Sequence, residues 1–144
     1  MNHLRNKLQK QYPGATFPAP FAQIFGIKFT KLEEGISESE VTVDSSWTNP
    51  FGIAHGGFLF SILDETLGSA ACSALNKPIY KDVKALSTTN HDIFFHSPAC
   101  PNDKLIVKAH TVSCRKNMIF VEGSIYKDGS TLVAESKGIW FIKR

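Results

Sequence analysis

Residues 49–65 read Asn-Pro-Phe-Gly-Ile-Ala-His-Gly-Gly-Phe-Leu-Phe-Ser-Ile-Leu-Asp-Glu. Asn49 offers a side-chain amide from a Pro/Gly loop. His55-Gly56-Gly57 follows, and an apolar helix pattern begins there. Asp64 and Glu65 stand inside that pattern among Phe, Leu and Ile. A carboxylate in an apolar helix is costly unless it is paired, hydrogen-bonded or functional. The free N–H groups at a helix start are a site for negative charge, including an oxyanion as it forms. An acid and such donors together suit hydrolysis of an activated carbonyl.

The elements that must hold these groups follow from periodicity. Residues 57–75 form the main helix, apolar on most sides, and such a helix is buried. Its polar and small residues Ser61, Asp64, Glu65, Gly68, Ser69 and Cys72 fall at spacings of three and four and make one stripe. Asn76, Lys77 and Pro78 end it. Before the helix, alternation predicts a hairpin over about 26–43, turning at Glu33-Glu34-Gly35, and 44–55 is loop. After it come four strand patterns, Lys84–Phe95, Leu105–Cys114, Met118–Lys127 and Thr131–Ile142, with a hairpin signal at Asp128-Gly129. Short turns between consecutive strands predict an antiparallel meander. The fold class is therefore α+β, one long helix wrapped by a curved antiparallel sheet. Residues 1–12 carry a short amphipathic helix pattern closed by Pro13-Gly14, and 13–23 read as an ordered lead-in.

Composition narrows the partners. The 144 residues suit a single domain, 1–144, with residues 1–25 as an N-terminal extension and 26–142 as the core. Eleven Phe residues point to a large apolar interior, an apolar tunnel or a subunit interface. Net charge is +3 and the positive residues are dispersed, so a nucleic-acid surface is not expected. The small excess suits an anionic small molecule such as a phosphorylated cofactor ester. Cys72, Cys100 and Cys114 show no CxxC spacing, and the start shows no signal-peptide pattern. Free thiols in a reducing cytoplasm are expected. The five His residues are too dispersed for a zinc site, so no metal is expected. No apolar run approaches the ~20 residues of a membrane helix.

Asn49, His55-Gly56-Gly57 and Asp64 ahead of a long antiparallel sheet resemble the hotdog-fold thioesterases, and among them the phenylacetate-pathway (PaaI-like) acyl-CoA thioesterases. The stretch Thr88–Ala99 and Asn102-Asp103-Lys104-Leu105 is similar to that subgroup's later segments. The resemblance spans roughly residues 24–142. It implies a homodimer or homotetramer with active sites built from two chains at the dimer interface. It implies acyl-CoA as substrate, with no metal or redox cofactor. Asp64 is then the catalytic acid, acting as general base on water or as nucleophile. Gly56 is the oxyanion donor through its N–H, and Gly57 permits the turn. Asn49 holds the carbonyl or the water, His55 shapes the turn by hydrogen bonds, and Thr88 helps hold the water. Glu65 is the competing acid; it shares a face with Ser61, Gly68 and Ser69 and reads as the more exposed. Gly57 and Ser61 line the substrate groove. Lys104, Arg115 and Lys116 are candidates for the CoA phosphates. Two departures stand out: His96-Ser97-Pro98 replaces an Arg-Pro turn, and Asn76–Lys81 lengthens the loop after the helix.

Two other readings are carried. A hotdog dehydratase or hydratase needs a catalytic His and acid in a different motif. A non-catalytic acyl-CoA-binding protein usually lacks the acid and carries a DNA-binding segment, for which residues 1–25 are too short.

Overall fold

A computed structural model describes residues 16–75 and 82–144, together with His3, Asn6, Gln9, Lys10 and Gly14. The helix expected over 1–12 lies mostly, and the loop at 76–81 wholly, outside the described residues. Strict alternation builds the sheet: Leu105, Val107 and Ala109 are buried, while Lys108 and His110 face out. The strands are β1 (Lys28–Glu33), β2 (Ile36–Thr42), β3 (Ala85–Phe95), β4 (Lys104–Cys114), β5 (Met118–Lys127) and β6 (Thr131–Lys143). They form one six-stranded antiparallel sheet in the order β1-β2-β4-β5-β6-β3.

That order corrects the expected simple meander. β4, β5 and β6 do follow one another, but β3 pairs with β6 at the far edge and not with β4. The eight residues joining β3 to β4 carry Pro98 and Pro101 and place Asn102 at φ 73°. They cross to the opposite side because they are stitched there. Ala99 O accepts from Ala54 N at 2.8 Å, and Val43 O accepts from Asn102 N at 2.9 Å. Lys127 Nζ adds a bond to Pro98 O at 2.7 Å.

The lead-in forms a short helix, α1 (Pro20–Ile24), with Pro at its first position. The long helix is α2 (Gly56–Ala74), one residue earlier than the periodicity suggests. Ile62, Leu63 and Leu67 of α2 are fully buried on Leu105, Ile119, Ile125 and Ile142 of the sheet. Gly123 sets how closely they meet. A Cβ there would stand 2.5 Å from Leu67 Cδ1 and 2.8 Å from the Lys108 carbonyl. The stripe Ser61, Asp64, Glu65, Gly68, Ser69 and Cys72 is the half-exposed face that the sheet leaves uncovered. No helix among the described residues is long and apolar enough to cross a membrane.

Candidate active site

The loop ahead of α2 is held by its own short polar side chains. Asp44 caps a single 3-10 turn, Ser45–Trp47, by accepting from Ser46 N at 2.8 Å. Asn49 Oδ1 accepts from Phe51 N at 2.9 Å and from Ile53 N at 3.4 Å, an Asx turn that Gly52 completes at φ 75°. The carbonyl side of Asn49 is thus committed to the loop, and its amide N–H groups are left to face outward. Trp47 stacks on Phe58 at 5.0 Å and fixes the helix start from below.

His55 is the N-cap of α2. Its Nδ1 accepts from Gly57 N at 2.9 Å, so the ring proton belongs on Nε2. This bond uses the Gly57 donor. The Gly56 N–H meets no acceptor among the described residues, as the first turn of a helix leaves its donors free. The Phe95 ring lies over Gly56, 3.3 Å from where a Cβ would be. Ser61 turns its hydroxyl back to Gly57 O at 2.7 Å.

Two turns further on, the Asp64 side chain is 39 % exposed. Its Oδ1 accepts from Thr88 Oγ1 at 3.1 Å and lies 3.3 Å from His91 Nδ1. Thr88 and His91 share a side of β3 because the register slips between Thr88 and Asn90. Strict alternation would set Thr88 with Asn90; the bulge at Thr89 sets it with His91 instead. His91 is the residue the sequence reading missed. Its side chain is 2 % exposed and its ring packs on Phe60 at 4.4 Å and Trp140 at 5.9 Å. A His in a strand signals nothing by itself, and only the bulge brings it to the acid.

Glu65 corrects an expectation. It is half-buried, and that burial, with the Asp64 carboxylate beside it, pushes its carboxyl above the usual range. Lys104 pairs with Glu40 Oε2 at 2.8 Å. It opens β4, whereas Arg115 and Lys116 follow the end of that 11-residue strand, roughly 35 Å away. One chain does not bring these three cations together. No cluster of metal-ligating side chains occurs among the described residues.

A family model described as the thioesterase superfamily matches residues 51–134, from the Asn49 loop to β6. The chain belongs to this superfamily. The matched segment takes in His55, Gly56, Asp64, Thr88 and His91. A protein of Saccharolobus solfataricus named as an esterase is 34% identical over 119 residues, which span 83% of this chain and 75% of that one. The PaaI protein of the phenylacetic acid degradation operon of E. coli superposes with a TM-score of 0.77 at 24% identity, over 85% of this chain and 83% of that one. A thioesterase protein from Streptococcus pneumoniae, solved with coenzyme A, gives 0.72 at 20% identity over 81% and 88%. The architecture of this thioesterase-superfamily chain is the hotdog fold, α+β, with its sheet wrapped around α2.

Proposed function

We propose that this chain is an acyl-CoA thioesterase that hydrolyses an acyl or aryl-acyl thioester to free acid and CoA. The observation that carries the reading is an anchored acid on the same helix as an unmet backbone donor. Asp64 has Oδ1 tied to Thr88, and the Gly56 N–H has no acceptor. In the proposed reaction, Asp64 Oδ2 takes a proton from water as the water oxygen bonds to the acyl carbon. The carbonyl oxygen takes up negative charge beside the Gly56 N–H, with the Asn49 amide as second donor. The C–S bond then breaks, and the thiolate leaves with the proton that Asp64 held. Direct attack by Oδ2, giving an anhydride that water opens, uses the same groups.

Helix geometry supports a site built from two chains. Gly56 and Asp64 lie eight positions apart on α2, about 12 Å along the axis. No single carbonyl reaches both from one chain. A second copy with its α2 antiparallel brings its Gly56 to this Asp64. β3 supports that pairing. It is an 11-residue edge strand with nothing on its outer side among the described residues, and Phe94 and Phe95 are more than half exposed. The assembly is then a homodimer, or a tetramer of two such dimers. Lys104 of one chain and Arg115 or Lys116 of the other are the phosphate contacts in this reading, and CoA enters only as part of the substrate. The coenzyme A held by the Streptococcus pneumoniae protein supports that ligand class. The unpaired cysteines fit a cytoplasmic setting.

The test is release of free thiol from a panel of aryl and medium-chain acyl-CoAs, with Asp64→Ala and Glu65→Ala run beside the unmodified protein. Hydrolysis abolished by Asp64→Ala and retained by Glu65→Ala is expected. Loss in the Glu65 variant alone moves the acid to Glu65. No hydrolysis of any thioester, with tight binding of acyl-CoA, makes the chain a binding protein instead.

A further inference from the structure

We propose that His91 is the positioning residue of Asp64, with an Nδ1–H that holds Oδ1 and leaves Oδ2 as the working oxygen. The inference rests on the assignment of Asp64 as the acid. It starts from an imbalance: His91 is buried to 2 % exposure, yet neither ring nitrogen has a hydrogen-bond partner. Polar groups that deep are nearly always satisfied, and an exception calls for a cause.

The surroundings select one protonation state. Phe60 and Trp140 wall the ring with apolar surface. The charged group within reach is Asp64, whose Oδ1 stands 3.3 Å from Nδ1. With the proton on Nε2, Nδ1 would turn a lone pair on a carboxylate oxygen, and the N–H would point at hydrocarbon. With the proton on Nδ1, a donor faces a charged acceptor, and the nitrogen left over is a bare acceptor. A buried acceptor without a partner is tolerated better than a buried donor. A doubly protonated ring would strand the Nε2–H. The Nδ1 and Oδ1 atoms stand within hydrogen-bonding reach, off the line of a formed bond.

Thr88 supplies the other half. Its hydroxyl donates to the same oxygen at 3.1 Å. Two donors from one bulged strand converge on Oδ1, so the carboxyl cannot rotate without losing both. The geometry holds Asp64 in one orientation before substrate arrives.

The decisive measurement is ¹⁵N NMR of histidine-labelled protein, with the His91 signals assigned by their loss in His91→Asn. The expected state is the neutral Nδ1–H tautomer, converting to Nε2–H or to rapid exchange in Asp64→Ala. A His91 ring protonated on Nε2 in the unmodified protein overturns the proposal, whatever the enzyme does. The kinetic arm compares amides that mimic each nitrogen. His91→Asn places a donor near Nδ1 and should keep kcat within about threefold. His91→Gln mimics Nε2 and His91→Leu mimics neither; both should lower kcat roughly 10- to 100-fold with KM little changed. Equal losses in all three variants, or losses carried by KM, assign His91 to packing alone and refute the positioning role. A protein that hydrolyses no thioester while showing the Nδ1–H tautomer refutes the thioesterase reading and leaves the His91–Asp64 contact standing. Should the Leu variant fail to fold, the tautomer in the unmodified protein still decides.

Discussion

Replacing Gly56 by Pro removes the proposed oxyanion N–H from a position whose backbone accepts Pro. Gly56 is the first residue of α2, where Pro is favoured because its missing donor has no helical partner. The residue before a Pro must be extended, and His55 already sits at φ −65°, ψ 138°. The cap from Gly57 N to His55 Nδ1 does not involve position 56. The added Cβ meets the Phe95 ring, 3.3 Å from its tip, and that side chain can give way; the Cδ takes the place of the amide hydrogen. Gly56→Ala adds the same Cβ and keeps the N–H, so the ratio of the two variants reports the loss of the donor and its replacement by the Cδ. Loss of one oxyanion donor costs about 2.7–4 kcal/mol of transition-state stabilisation, or roughly 10²–10³ in kcat. The expected result is a kcat for Gly56→Pro lower than Gly56→Ala by that factor, with matching melting temperatures, read as thiol release from the best acyl-CoA. If the two variants turn over within threefold of each other, the Gly56 N–H does not stabilise the transition state.

If the site spans two chains, unfolding and refolding Asp64→Ala with Gly56→Pro in equal amounts should restore activity. Half the dimers are then mixed, and each holds one site with neither defect, so about a quarter of wild-type turnover returns; no recovery places both groups in one chain. Glu65 has a raised carboxyl, so its effect on stability has a definite sign. As pH climbs through the usual carboxylate range, the unfolded chain releases this proton before the folded one does, and stability declines until the folded group ionises too. Glu65→Gln should therefore raise the melting temperature at about pH 8 and leave it unchanged at about pH 3.5; a gain confined to acid pH contradicts the burial argument. Burial pushes the Cys72 thiol up to about 11, whereas Cys100 and Cys114 are exposed. A thiol reagent at neutral pH should titrate Cys100 and Cys114 in the native protein well ahead of Cys72, whose thiolate is scarce; labelling of Cys72 as quick as theirs contradicts the burial argument.

The helix was the most readable element. Its apolar residues are too many for one face, and those that break the pattern, Ser61 through Cys72, are the ones the sheet leaves half-exposed. The strands were readable for the same reason, since alternation is a local pattern. Which strands pair was not. Nothing in Ala85–Phe95 states that its neighbour is β6, because that choice depends on the loop at 97–103 docking beside Ala54 and Val43. Glu65 read as exposed because its helical neighbours are small and polar, but burial and the neighbouring Asp64 carboxylate raise its carboxyl. His91 stayed hidden because parity counted from Thr88 puts it on the wrong side of β3. The N-terminal turn α1 was missed because a five-residue helix led by Pro has too short a period to detect.

The slip at Thr89 works like a switch in the reading frame of a strand. Straighten that slip with Thr89 kept in the ladder, and everything beyond it changes sides. Asn90, Asp92 and Phe94 would replace His91, Ile93 and Phe95 on the side of Thr88. The reactive carboxyl would then face the Asn90 amide where it now faces an imidazole, although no codon had changed. A lineage could exchange the whole entourage of its acid by straightening or forming one bulge in an outermost strand, with Ile93 then leaving the core face.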